Sequence, residues 1–155
     1  MNGKFDSRHP LVGLVDELTR LTGRLKSTFA DSRRVVGLGE SEMMVLNAVV
    51  EADRSPTVPQ IGRSLGSPRQ LVQRAANALM DAGLIEAQPN PDHKRAALLV
   101  ATGAGIALKR QADAHADTIA ERLAAAVDLG TVGQTTLALG TLRRQLESQL
   151  RAGGE

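Results

Sequence analysis

Thr57-Val-Pro-Gln-Ile-Gly-Arg-Ser-Leu-Gly66 runs directly into Ser67-Pro-Arg-Gln-Leu-Val-Gln-Arg-Ala-Ala-Asn-Ala-Leu-Met-Asp-Ala82. Each segment opens with a hydroxyl residue followed three positions later by Gln: Thr57 with Gln60, and Ser67 with Gln70. That spacing lets a side-chain oxygen and an amide cap a helix reciprocally, so two short helices are predicted in close succession. Pro68 suits the first helical position, where a missing N–H costs nothing. Gly66 suits the tight turn and Gly83 the end of the second helix, both places that favour a left-handed backbone. Leu84-Ile85-Glu86-Ala87 and Ala97-Leu98-Leu99-Val100 then read as two strands of a hairpin with the charged tip Asp92-His93-Lys94-Arg95. Two helices across a tight turn, followed by a charged hairpin, is the layout of a winged helix-turn-helix.

The second helix predicts the partner. At about 100° per residue, Leu71, Ala75, Ala78, Leu79 and Ala82 share one face, and Arg69, Gln70, Gln73, Arg74 and Asn77 share the opposite one. The polar face holds only guanidinium and amide groups in its first three turns, and its one acid, Asp81, comes at the far end. Arg can pair with the two acceptors of guanine, and Gln or Asn with the donor and acceptor of adenine. A merely solvated helix face normally mixes Glu with Lys. Arg69, Gln70, Gln73, Arg74 and Asn77 are therefore the expected major-groove contacts, with Ser67 a further expected DNA contact. His93, Lys94 and Arg95 are the expected wing contacts, at the minor groove or its phosphates. Asp92 is close enough to Arg95 to pair with it across the turn; alternatively the tip is a solvated loop.

Outward from this unit the chain becomes long and helical. His9-Pro10 starts the first helix, with Ser7 or His9 as cap. Leu11, Leu14, Leu18, Leu21 and Leu25 alternate steps of three and four, with Val15 widening the seam and Phe29 one turn beyond. The stripe either faces this chain's core or is shared with a second chain. Gly37-Leu38-Gly39 breaks the chain. Glu40 to Glu51 then reads as a helix burying Met43, Met44, Leu46, Val49 and Val50. Thr102-Gly-Ala-Gly105 opens a long Ala-rich helix to about Val127, with Ile106, Ile119, Leu123 and Val127 on its apolar side. Asp128-Leu129-Gly130 interrupts, and a last helix from Gly133 to Arg151 carries Leu139, Leu142, Leu146 and Leu150. The expected fold is mainly α (α+β): a winged helix-turn-helix with long N- and C-terminal dimerisation helices and a two- to three-stranded wing sheet. Its expected parts are 1–36 (dimerisation), 37–102 (DNA-binding lobe) and 103–155 (dimerisation). Leu11, Leu14, Leu18, Leu139, Leu142, Leu146 and Leu150 are the expected pairing residues.

Composition agrees. Apolar content of 42% and charged content of 23% fit a globular chain of 155 residues. No Cys is present, which removes thiol redox switching and Cys-based zinc sites. No apolar run approaches the roughly 20 residues needed to cross a bilayer, and Met1-Asn-Gly-Lys-Phe-Asp6 lacks the core of a signal peptide. A cytoplasmic, nucleoid-associated protein is expected, without membrane partner, metal or cofactor. The formal charge is +2, and all of it arises in residues 57–102, where Arg63, Arg69, Arg74, Lys94 and Arg95 face Asp81, Glu86 and Asp92. The flanks are balanced, so the excess sits where a phosphate-binding surface is needed.

Together these stretches resemble the MarR family of bacterial transcriptional regulators over nearly the whole length. The resemblance rests on Leu38-Gly-Glu-Ser-Glu-Met-Met-Val-Leu46, on the two capped helices and on Leu79-Met-Asp-Ala-Gly-Leu-Ile85. It continues through Pro91-Asp-His-Lys-Arg-Ala96 and Thr102-Gly-Ala-Gly105. It implies a homodimer with intertwined terminal helices and two winged lobes on a palindromic DNA operator. It also implies a small-molecule effector bound between dimerisation helices and lobe, which changes the lobe spacing. By position, Arg69, Gln70, Gln73 and Arg74 lie in the major groove, and Arg95 holds the wing. The wing departs from the family pattern: His93 stands two residues before Arg95, where Asp is usual, and Asp92 lies one earlier. Only Phe5 and Phe29 are aromatic, unlike the aromatic-rich effector pockets of some members.

Two other classes compete with this reading. An enzyme is disfavoured, because His9, His93 and His115 form no triad or ligand pattern; Asp113, His115 and Asp117 are the nearest approach to a metal cluster. A winged-helix protein-interaction module, or an antirepressor that does not read DNA, is the stronger competitor. The polar face of the second helix separates the two, since an interaction module would carry acids or apolar residues there.

Overall fold

The computed structural model describes residues 9–152, with side chains to Gln149. The elements in order are α1 (Pro10–Thr28), α2 (Ala30–Arg34), α3 (Glu40–Val50), α4 (Val58–Leu65), α5 (Arg69–Asp81), β1 (Ile85–Gln88), β2 (Leu98–Ala101), α6 (Gly103–Leu123) and α7 (Leu129–Ala152). A short 3-10 turn, Ala124–Ala126, separates the last two. The fold is mainly helical with a two-stranded antiparallel wing. The chain divides into two compact units, 1–116 and 117–155.

α1 starts on His9, whose imidazole accepts from the Leu11 N–H at 3.2 Å, with Pro10 next to it. The alternative cap, Ser7, lies outside the described residues. None of α1's residues is buried, so its leucine stripe does not serve this chain's core. α2 is a helix that the sequence pattern does not announce; it buries Ser32, whose hydroxyl donates to the Phe29 carbonyl at 2.7 Å. At the start of α3 the Glu42 carboxylate accepts from the Gly39 N–H at 2.8 Å.

The core of the first unit is built by α3, α4, α5 and the wing. Val45, Leu46, Ile61, Val72, Leu79, Ile85 and Leu99 form it, each nearly or wholly withdrawn from solvent. A side chain of this kind contributes about 1.5–3 kcal/mol when fully buried. In α3 the buried set is Met43, Val45, Leu46 and Val49; Met44 and Val50, expected inside, are only half-buried. α4 has the expected reciprocal cap: the Thr57 N–H donates to Gln60 Oε1 at 2.8 Å, and the Gln60 N–H to Thr57 Oγ1 at 3.4 Å. It ends at Gly66, whose φ of +60° is a left-handed conformation that side chains resist. That turn lets the Ser67 N–H reach back to the Gly62 carbonyl at 2.9 Å.

A joint not foreseen in the sequence ties α3 to α6. The Lys109 ammonium, almost fully buried, bonds Asp113 at 2.7 Å and Glu51 at 3.1 Å. Burial works against the charged amine, but these two hydrogen-bonded carboxylates outweigh it and hold its pKa above the ordinary lysine value. Gly105, Lys109, Ala112 and Ile119 are buried along α6, whereas Ile106 is half-buried and Leu123 and Val127 are exposed.

α7 begins four residues before its expected start. Asp128, read as an interruption, is its cap. Its carboxylate accepts from the Thr131 hydroxyl at 2.6 Å, and from the N–H groups of Gly130 at 3.1 Å and Thr131 at 3.2 Å. The Thr131 hydroxyl, then the Gly130 and Thr131 N–H groups, hold its pKa below the usual aspartate value.

Candidate nucleic-acid interface

α5 presents the polar arc expected of it. Arg69, Gln70, Gln73, Arg74 and Asn77 are all exposed. Gln73 Nε2 donates to Asn77 Oδ1 at 2.9 Å, one helical turn on, so two of the amides are held in a fixed mutual geometry. Arg69, Gln70 and Arg74 have no side-chain hydrogen-bond or ion-pair partner among the described residues, and their donors remain available.

The opposite face is rotated from its expected position. Val72, Ala75, Ala76 and Leu79 are buried, while Leu71, Ala78 and Ala82 are exposed. The reason is geometric: an Ala-rich helix carries two overlapping apolar stripes, and the core takes the one that offers Val72. The start of α5 also differs. Pro68, with ψ of 135°, is the cap residue itself rather than the first helical one, and no side chain caps the helix. Ser67 is half-buried. Its hydroxyl lies 3.9 Å from Met44 Sδ and 3.5 Å from the Leu65 carbonyl, so the expected reciprocal bond with Gln70 is not made.

The wing pairs Ile85 with Ala101 and Gln88 with Leu98. Ile85 and Leu99 point into the core, which plants the hairpin on α5. No third strand forms among the described residues; its place is marked by one bond, from the Leu99 N–H to the Pro56 carbonyl at 2.8 Å. At the tip, His93, Lys94 and Arg95 are exposed. The suggested Asp92–Arg95 pair is not made, and neither side chain has another ion-pair partner among the described residues. Asn90 holds the loop instead. Its Nδ2 donates to the Ala96 carbonyl at 2.8 Å, and its Oδ1 accepts from the Asp92 N–H at 3.0 Å. The local signal for this role is Asn between two prolines, a strong turn former.

Helix and wing meet in a hollow of about 200 Å³ whose walls include Arg69 and Gln73 from α5 and Arg95 from the wing. A second hollow, of about 400 Å³, joins His93 to Arg63 of α4, with Thr57 and Asn90 at its rim. Arg63 is thus an exposed cation beside the wing, a place that its position in the sequence does not reveal. Lys94 lines neither hollow.

The expected pairing residues lie on α1 and α7. Leu11 and Leu146 are about half exposed, at 50% and 54%, and Leu14, Leu18, Leu139 and Leu142 are half-buried. The Leu150 side chain is outside the described residues. Among the described residues no three His, Cys, Asp or Glu side chains gather as a metal site, so Asp113, His115 and Asp117 form none, and no helix is long and apolar enough to cross a membrane.

Comparison with known proteins gives the same outline. A MarR-family model matches residues 36–96, which run from before α3 to the wing tip. An uncharacterised protein of Mycobacterium tuberculosis is 36% identical over 133 residues, covering 86% of this chain and 90% of its own. A MarR-family transcriptional regulator from Rhodococcus sp. RHA1 superposes with a TM-score of 0.76 at 20% identity, covering 88% of this chain and 96% of the other. CouR from Rhodococcus jostii RHA1, solved with p-coumaroyl-CoA bound, superposes at 0.70 with 20% identity, covering 85% and 91%. The helix pair across the Gly66 turn, the wing planted on it and these matches lead to one conclusion: the chain belongs to the MarR family, the winged-helix transcription regulators.

Proposed function

We propose that the protein is a dimeric, sequence-specific DNA-binding repressor whose grip is released by a small molecule. The observation that carries this reading is the exposed arc of α5. Arg69, Gln70 and Arg74 stand unpartnered among the described residues, beside a preset Gln73–Asn77 pair, with no carboxylate until Asp81. Those donors and acceptors match base edges in the major groove. His93, Lys94 and Arg95 at the wing, and Ser67 in the turn before α5, supply further contacts to the DNA.

Residues 37–102 serve as the reading lobe, and 1–36 with 103–155 as the dimerisation helices. Large apolar side chains left open on α1 (Leu11, Val12, Val15, Leu21, Leu25) and on α7 (Leu129, Val132, Leu137, Leu146) support pairing with a second copy. Two lobes related by a two-fold axis would read a palindrome. The p-coumaroyl-CoA bound to CouR supports release by an effector. The absence of Cys rules out a thiol-based trigger. Such a protein works in the cytoplasm, at the nucleoid.

Selection from random duplex DNA is the test. An enriched palindrome with half-sites about one helical turn apart is expected, together with sedimentation at twice the 16.4 kDa chain mass. A monomer at micromolar concentration overturns the dimer. Failure to enrich any sequence overturns DNA reading and favours the protein-interaction module. Lys94→Ala is expected to weaken binding to all sequences alike and to flatten the salt dependence of log K by about 0.9 for each phosphate the wing no longer neutralises. If only some sequences bound more weakly, Lys94 would be reading a base.

A further inference from the structure

Leu71 is the large apolar side chain that α5 leaves open beside its polar arc. It lies in the first turn of α5, and 39% of its surface is exposed. Measured from Val72 at about 100° per residue, Arg69 lies near 60°, Gln70 near 160°, Arg74 near 200° and Leu71 near 260°. Leu71 thus forms the edge of the exposed arc away from the wing. Arg74 is its neighbour one helical turn on, at the i+3 spacing that puts two side chains side by side. The core has taken Val72 and Ala76 instead, so Leu71 is left over from the helix's packing.

Among the base edges of the major groove, thymine alone offers a methyl group. We infer that Leu71 is a specificity-determining residue that packs on a thymine methyl, at a base pair next to the one contacted by Arg74. This rests on the DNA-reading function proposed above. It adds a requirement for the thymine methyl itself, which the polar side chains of α5 do not read.

The experiment uses the full chain and the operator selected from random duplexes. Each thymine is replaced in turn by deoxyuridine, in both half-sites together, which removes only the methyl group. One thymine per half-site is expected to matter. Its replacement should weaken wild-type binding about fifteenfold, or about fourfold per half-site, the size of one buried methyl group. Leu71→Ala should bind the thymine operator with that same loss and show no further loss on the deoxyuridine operator. Leu71→Met, which keeps an apolar tip, should retain the sensitivity. The wild-type scan stands even if Leu71→Ala does not fold, with Leu71→Met as the second protein. A palindrome that binds well but shows no methyl-sensitive position overturns the role of Leu71 alone. The same holds if the sensitivity persists undiminished in Leu71→Ala. If no sequence is enriched, the DNA-reading function fails and this inference fails with it.

Discussion

Replacing Arg74 with Ala is expected to abolish most of the discrimination between the operator and random DNA. Arg74 lies on the exposed arc between Gln70 and Leu71, unpartnered among the described residues, with Gln70 one helical turn before it and Asn77 one turn after. A guanidinium paired with the two acceptors of guanine contributes about 1–3 kcal/mol against a wrong base. A two-fold dimer loses this twice, so about 2–6 kcal/mol of specific binding should disappear. Binding to random duplex, which rests on phosphate contacts, should fall far less. Fluorescence anisotropy on operator and scrambled duplexes at one salt concentration would measure both. Equal losses on the two duplexes would make Arg74 a phosphate contact, and unchanged affinity for both would remove it from the interface. The fold should be unaffected, because the side chain is exposed and makes no bond to another described residue.

Gly105→Ala is expected to cause the largest loss of stability from a single added methyl group. A Cβ at this position would run into the Leu84 carbonyl oxygen and lie 2.9 Å from its carbon. Neither backbone atom can step aside, because the same carbonyl already accepts the Thr102 N–H at 3.0 Å. The Thr102 hydroxyl lies 2.7 Å from the Gly83 carbonyl and 3.1 Å from that of Leu84, and accepts from the Gly105 N–H at 3.1 Å. The start of α6 is thereby fastened to the residue that opens the wing. Forcing the two apart should cost about 3 kcal/mol, at the upper end for overpacking, and lower Tm by about 6–12 °C in a chain of this size. Thermal unfolding at fixed protein concentration checks it. Gly103→Ala is the control: an added Cβ there meets nothing within 4 Å, and Tm should hardly move. Equal behaviour of the two variants would refute the contact.

The parts of this fold that were legible in the sequence are those decided within a few residues. The Thr57–Gln60 cap needs only a spacing of three, and the polar arc of α5 needs only helical periodicity. What was misjudged depended on distant chain. Leu71 and Val72 are equally apolar, and which one turns inward is settled by where α3 and α4 lie. Lys109 carries no signal in the sequence, because Glu51, its partner, is far back in the chain. The Ser67–Gln70 cap matched its pattern but lost to competing bonds, because the Gly66 turn aims the Ser67 N–H at Gly62. The Asp128 cap is a local exception: Asp128-Leu129-Gly130 has the composition of a break, yet its aspartate caps α7. Thus the exposed polar arc of α5 is legible in the sequence, whereas the apolar residue that bounds it is not.

The way the wing is closed affects how its binding would be measured. Asn90 fastens the loop through an uncharged amide, with bonds to the Ala96 carbonyl and the Asp92 N–H. Neutral hydrogen bonds of this kind are not loosened by dissolved ions as an exposed carboxylate–guanidinium pair is. Nor does the amide titrate in the physiological range. The shape of the wing should therefore stay constant across a salt or pH series, leaving the Arg95 charge uncommitted. A wing buckled on an ion pair would mix its own distortion into the apparent number of phosphates. With the Asn90 closure, the slope of a salt titration on DNA should be free of that distortion.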